Sequence, residues 1–159
     1  MNLADRVVVP LRVLLVMLFA GLVVAQAMSM PGQFAYMAKE NPDLAYLRWP
    51  LTIWAIVELL CIQVVIVCTW KLLTMVKADR IFTEDAFAWV DAILWALGAG
   101  WVLLFGVFIY LGWLANDPGL PILLFGMVLT GAVLVLLMVV MRALLRRAAT
   151  LRSDMEAVI

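Results

Sequence analysis

The sequence predicts an all-α integral membrane protein whose four helices form a bundle. Hydrophobic residues make up 68% of its 159 residues and the mean hydropathy is +1.15, both far above the values of soluble domains. Long apolar runs occur at residues 13–28, 51–70, 93–114 and 122–141. Each run is close to the ~20 residues that a helix needs to cross the hydrocarbon core. Because lipid cannot satisfy open backbone donors and acceptors, we expect these runs to be helical.

We place the four spans at about 10–30, 50–76, 86–114 and 121–147 of a single membrane domain that covers residues 1–159. An outer loop then takes residues 31–49, a cytoplasmic hairpin residues 77–85 and a cytoplasmic tail residues 148–159. A loop as long as the outer one is unusual without secondary structure, so we expect short helical turns near 34–39 and 43–47.

The first span also has features of a signal peptide. Arg6 and Arg12 precede its apolar run, and Ala25, Gln26 and Ala27 form a small-residue pattern of the kind found at cleavage sites. We nevertheless expect the segment to be retained as the first span.

The basic residues predict how the chain is oriented. If the N-terminus is cytoplasmic, all Lys and Arg residues except Lys39 and Arg48 fall on the cytoplasmic side. Lys and Arg concentrate on that side of membrane proteins. We therefore expect both termini and the hairpin to be cytoplasmic.

Several kinds of chemistry are not expected from this sequence. The absence of histidine excludes histidine-ligated haem or zinc and a histidine general base. Cys61 and Cys68 lie about 10 Å apart along one helix, too far for a disulfide. No nucleotide-binding loop or catalytic serine motif is present. We expect no enzyme activity, no metal, no cofactor and no direct contact with nucleic acid.

A carboxylate and an amide stand out within the second apolar run. Glu58 lies ten residues after Arg48 and thirteen before Lys71, near the bilayer midplane. A charge there costs at least ~2.5 kcal/mol, so we expect Glu58 to be protonated, hydrogen-bonded or facing water. Helical geometry turns it toward the bundle, with Thr130 as a candidate partner. Gln63 lies about 140° around the helix from Glu58, so it must contact protein on a second side or another subunit.

Two interpretations of Glu58 remain open. It can bridge helices through hydrogen bonds, which average only ~0.6 kcal/mol inside membranes. It can also be a proton- or cation-coupled site resembling that of the small multidrug resistance transporters, which carry one essential glutamate in a four-helix chain. Their glutamate lies in the first helix, whereas Glu58 lies in the second.

Other residues are predicted from their depth and position. Arg12 and Asp91 fall at similar depths near the cytoplasmic interface, so we expect them to form an ion pair. Thr83 is the predicted N-cap of the third span. We expect four glycines to allow close helix packing: Gly98, Gly106, Gly126 and Gly131. A candidate cytoplasmic contact surface comprises Lys77, Arg80, Glu84, Arg146 and Arg147.

Two stretches, "PDLAYLRWP" and "ADRIFTEDAFAWVDAILWALG", resemble a bacterial family of four-helix membrane proteins, domain of unknown function 2975 (YoaS-like). The matching residues are Tyr46, Arg48 and Pro50 before the second span, and Phe82, Thr83 and Glu84 after the cytoplasmic turn. The resemblance implies a multi-pass protein of the bacterial inner membrane with unknown activity. It also implies relatives that are often encoded beside a small helix-turn-helix regulator.

Three functions are compatible with these features. The leading hypothesis is a regulatory or sensory membrane component that contacts a cytoplasmic protein such as a helix-turn-helix regulator. The alternative is a small proton- or cation-coupled transporter that uses Glu58, and a purely structural membrane subunit is the third. Besides the lipid bilayer, a second copy of the chain packed through the second span is a possible partner.

Overall fold

The computed structural model describes residues 3–158 of the chain, and almost all of them are helical. The elements are α1 (Leu3–Val24), a π-helical turn (Ala25–Ser29), α2 (Met30–Glu40), a 3-10 helix (Pro42–Leu47), α3 (Arg48–Lys77), α4 (Glu84–Leu114) and α5 (Gly119–Val158). Four helical segments are long and apolar enough to cross a membrane: Asp5–Glu40, Pro42–Lys77, Glu84–Leu114 and Gly119–Val158. The predicted all-α class with four such helices is confirmed.

The first helical segment is longer than predicted. Instead of ending near residue 30, the helical segment continues through the π-helical turn into α2 and ends at Glu40. Pro31 has no backbone N–H and therefore cannot donate the usual helical hydrogen bond. The turn just before it is wider, because the Met30 N–H donates to the Ala25 carbonyl five residues earlier. This π-helical turn allows the helix to continue past the proline. Residues 34–39 and 43–47 are both helical, so most of the predicted outer loop is helix.

The helices pack side by side in the order α1, α3, α4, α5, with α2 and the 3-10 helix against α3. Within residues 3–158, no Cα atom of α1 lies within 8 Å of one in α4 or α5, and none of α3 lies that close to α5. α3 and α4 therefore form the centre, and α1 and α5 lie on either side. Their outward faces expose large apolar side chains such as Met17 and Leu136, as lipid contact requires.

The main apolar cluster joins α4 to α5. Its buried residues are Leu104, Leu124 and Val128, packed against Trp54, Trp101, Phe108 and Leu111. The Trp101 indole N–H donates to the Val128 carbonyl at 2.9 Å. A Cβ on Gly131 would lie 2.8 Å from Trp101 Cδ1, closer than such atoms approach, so Gly131 is a close-packing position as predicted.

The other three predicted glycines do not pack closely. A Cβ on Gly98, Gly106 or Gly126 would meet no atom within 4 Å outside its own helix, so that prediction is wrong for them. Gly100, which sequence reasoning did not single out, is instead buried against α3. A glycine allows close approach only where a neighbour faces it, and the sequence of one helix does not show that.

The turn between α3 and α4 ends α3 sharply without a glycine. Asp79 has a φ of 54°, in the left-handed region that a non-glycine residue seldom adopts. The Arg80 N–H donates to the Met75 carbonyl at 2.8 Å and the Asp79 N–H to the Val76 carbonyl at 3.1 Å. These two bonds form a Schellman motif, which satisfies the last carbonyls of α3.

α4 begins directly after Thr83, with Glu84 and Asp85 in its first turn, where negative charge suits the helix dipole. Thr83 occupies the predicted N-cap position, but its hydroxyl donates backwards to the Arg80 carbonyl at 2.8 Å. The side chain therefore braces the turn and makes no capping bond to α4.

Candidate functional site

Glu58 lies at the interface of α3 and α4, opposite Gly100. A Cβ placed on Gly100 would lie 3.1 Å from Glu58 Oε1, so the missing side chain provides the space that the carboxylate occupies. Glu58 Oε2 is buried and has no hydrogen-bond partner among residues 3–158. The chain thus holds a carboxylate between its two central helices with one oxygen unsatisfied.

The predicted pairing of Glu58 with Thr130 is wrong. The Thr130 hydroxyl donates to the Gly126 carbonyl of its own helix at 2.9 Å, and the residue is exposed. α4 lies between α3 and α5, which separates the two residues laterally even though counting along the helices places them at similar depth.

Gln63 makes its second contact within the same chain. The residue is only 7% exposed, and its side-chain N–H donates to Gln26 Oε1 at 2.9 Å. Gln26 in turn donates to the Ile56 carbonyl at 3.2 Å, so the two amides form a chain of hydrogen bonds from α3 through the π-helical turn and back. Gln63 therefore gives no reason to expect a second copy, and an oligomer through this helix stays a prediction without that support.

Asp91 pairs with Arg142 on α5, so the predicted pair with Arg12 is wrong. The Arg142 Nε donates to Asp91 Oδ1, and Nη2 donates to Oδ2 at 3.1 Å. Arg12 instead donates to the Thr74 hydroxyl at 2.9 Å and lies 5.1 Å above the Trp70 ring. The reason is helix order, because α1 packs on α3 and does not reach α4.

Further arginines of α5 contact the end of the protein that holds the α3–α4 turn. We call this end, which comprises the last turn of α3, residues 78–83, the first turns of α4 and the part of α5 after Arg142, the terminal end. Arg146 Cζ lies 5.7 Å from the Phe87 ring centroid, and Arg152 Cζ lies 5.1 Å from that of Phe82. Arg152 also donates to Asp79 Oδ2 at 3.2 Å. Sequence reasoning did not predict these contacts. The spacing of the arginines along α5 could have indicated them, because their partners follow one another at similar spacing in the opposite direction along the chain.

All members of the predicted contact surface are exposed at this terminal end. They are Lys77 at the end of α3, Arg80 in the turn, Glu84 at the start of α4, and Arg146 and Arg147 on α5. Arg80 forms a largely exposed ion pair with Asp85 at 3.4 Å. The fold thus brings charged side chains from three helices and a turn to one end of the protein.

Within residues 3–158, no group of three or more Cys, Asp or Glu side chains is arranged to hold a metal ion. Cys61 and Cys68 are both free thiols.

Comparison of the chain with known proteins places it in a family of unknown function. No curated protein and no solved structure matches the chain. A family model described as protein of unknown function (DUF2975) matches residues 32–159. The match begins within α2 and includes α3, α4 and α5, with both stretches that carry the sequence resemblance. The chain therefore belongs to the DUF2975 family of proteins of unknown function.

Proposed function

We propose that this protein is a regulatory or sensory component of the bacterial inner membrane that contacts a cytoplasmic protein through its terminal end. The observation that carries the proposal is the bond between Arg152 and Asp79, which ties the extended C-terminal part of α5 to the α3–α4 turn. Arg146, whose Cζ atom lies 5.7 Å from the Phe87 ring centroid, adds a second contact, between α5 and α4. A surface held in this way presents its exposed charges in a fixed arrangement.

The chemistry of this surface favours an acidic partner. Lys77, Arg80, Arg146 and Arg147 are exposed there, and Glu84 is the one acidic residue among the five. Two neighbouring acids, Asp79 and Asp85, are each paired with an arginine, Arg152 and Arg80. Complementary charge speeds encounter and selects partners more than it adds affinity. A small helix-turn-helix regulator, the neighbour that the family resemblance implies, would need acidic residues on the face that docks here.

The proposal requires the terminal end to be cytoplasmic, which cysteine labelling tests. In a background with Cys61→Ala and Cys68→Ala, single cysteines are introduced as Arg147→Cys and Asn116→Cys. A membrane-impermeant maleimide applied to intact cells with a permeabilised outer membrane should label the second and spare the first. Labelling of Arg147→Cys without Asn116→Cys would overturn the orientation.

Partner contact is tested with photo-crosslinking residues at positions 77 and 147 in native membranes. We expect one acidic cytoplasmic protein to be captured, and we expect Arg147→Glu to reduce capture from position 77 several-fold. Added salt should act in the same direction. Lys39→Glu, a charge reversal on α2, is the matched control. The proposal is contradicted if Arg147→Glu leaves the amount of captured protein unchanged, or if no protein is captured at all.

A proton- or cation-coupled transporter is the second candidate, and the unsatisfied Oε2 atom of Glu58 favours it. Such an oxygen between two central helices could exchange a proton or accept a cation. Glu58→Gln keeps the volume and removes the charge. In reconstituted vesicles containing a pH-sensitive dye, this substitution should abolish proton movement if Glu58 carries protons. Equal proton movement in both proteins excludes the role.

A further inference from the structure

A cavity of about 360 Å³ lies at the end of the protein opposite the terminal end. α2 and the 3-10 helix cover it, and α3, α4 and α5 form its walls. The apolar lining includes Phe34, Leu51, Val107, Leu111 and Leu124. Its volume is at the lower end of the ~300–1,000 Å³ typical of small-molecule sites.

The few polar groups of this cavity are hydrogen-bond donors or neutral amides. Arg48, the first residue of α3, lines it together with Gln33 and Asn41, and no lining residue is acidic. The Arg48 guanidinium lies 5.0 Å from the Trp49 ring and has no ion-pair partner within residues 3–158. A positive charge beside an apolar cavity favours an occupant with an anionic group.

Deeper along the same helix lies a buried hydrogen-bond donor that is unsatisfied within residues 3–158. Trp54 lines the cavity six residues after Arg48, about 9 Å along α3. Its indole nitrogen is buried and has no hydrogen-bond partner in the described part of the chain. Buried indole N–H groups usually find a partner, so an oxygen atom on an occupant would satisfy it.

We propose that this cavity binds an amphipathic molecule with one hydrocarbon chain and a carboxylate head. The carboxylate pairs with Arg48, and the chain packs against Leu51, Leu111 and Leu124. Trp54 donates to an oxygen carried on the chain, where one is present. The cavity suits a single chain better than the two chains of a phospholipid. The site is independent of the cytoplasmic contact proposed above, because it lies at the opposite end and is tested by direct binding.

The test measures binding of radiolabelled dodecanoate to the full-length protein in nanodiscs, with empty nanodiscs subtracted. Dodecanol and dodecyltrimethylammonium compete as the neutral and the cationic twelve-carbon compounds. We expect dodecanoate to bind more tightly than both competitors, and the ammonium compound to bind least tightly of the three. We expect 8-hydroxydodecanoate to bind more tightly than dodecanoate, because its hydroxyl lies about as far from the carboxylate as Trp54 lies from Arg48 along α3. Equal competition by the cationic compound would overturn the proposal. So would a co-purified phospholipid that dodecanoate fails to displace.

Three substitutions connect the binding to this cavity. Arg48→Gln should weaken dodecanoate about tenfold, as expected for loss of a charge-assisted bond, and leave dodecanol unchanged. Lys39→Gln removes a basic residue at the same end that does not line the cavity, and it should change nothing. Leu51→Trp fills the cavity and should prevent binding of both compounds, and Ala38→Leu on α2 serves if that variant fails to fold. Undiminished binding to a folded, filled variant refutes the site.

Discussion

The Asp91 carboxylate on α4 accepts hydrogen bonds from two nitrogens of the Arg142 guanidinium on α5, across 51 residues of sequence. Both side chains are partly exposed, at 41% for Asp91 and 29% for Arg142. A bidentate pair of this kind fixes both distance and rotation of the two helices. It marks the depth at which the apolar contact between α4 and α5 gives way to the arginine contacts of the terminal end.

Breaking this pair should loosen α4 from α5. We expect Asp91→Ala and Arg142→Ala each to lower the free energy of unfolding, with a coupling of about 1 kcal/mol after allowance for solvent screening. Unfolding by dodecyl sulfate in mixed micelles measures all four proteins of the cycle. Arg147→Ala, an exposed arginine five residues along the same helix, is the control and should be neutral. Purely additive effects would show that the pair does not contribute.

Removing the amide contact between the π-helical turn and α3 should weaken the attachment of the first helical segment to α3. Gln63→Leu leaves Gln26 Oε1 without its donor, so we expect a loss of about 0.6 to 1.7 kcal/mol in the free energy of unfolding. Thr130→Val is the control, because that hydroxyl bonds only within its own helix. The same micelle assay applies, and a Gln63→Leu protein as stable as the wild type would contradict the contact.

Gly131 and Gly126 should respond in opposite ways to an added methyl group. Gly131→Ala forces its Cβ against Trp101 and disturbs the indole bond to Val128, so we expect a loss of about 1–3 kcal/mol. Gly126→Ala meets open space and should be neutral or stabilising, because alanine favours helix more than glycine does. The thermal midpoint in detergent separates the two. Equal effects would mean that the Trp101 contact is absent.

The space at Gly100 should be coupled to the carboxylate of Glu58. Gly100→Ala in the wild-type chain must displace Glu58 Oε1, whereas in a Glu58→Ala background the obstacle is gone. We expect the destabilisation to fall by about 1 kcal/mol between the two backgrounds, as for other residues in contact. Gly98→Ala, with nothing within 4 Å, should have the same effect in both. If Gly100→Ala behaves like Gly98→Ala, the carboxylate does not occupy the space opposite Gly100.

The pairs predicted from depth in the membrane were wrong, whereas the prediction from helix rotation was confirmed. Counting along the helices placed Asp91 and Arg12 at the same level, and Glu58 and Thr130 at another, but neither pair forms. Each pairing assumed neighbours that the helix order excludes, because α1 packs on α3 and α4 separates α3 from α5. The rotation argument for Gln63 was sound in asking for a second contact. Only the folded chain identifies that contact as Gln26.

The sequence alone determines the properties that depend on a single helix. Run length against bilayer thickness predicts four spans, and the 100° step per residue separates the faces of Glu58 and Gln63. Lateral arrangement is different, since apolar helices in lipid have no hydrophobic force that selects one neighbour over another. Which helices become neighbours depends on the space left by single glycines, on single hydrogen bonds and on arginine contacts. Those features become visible only when the helices lie side by side, as with Gly100 opposite Glu58 and Arg142 against Asp91.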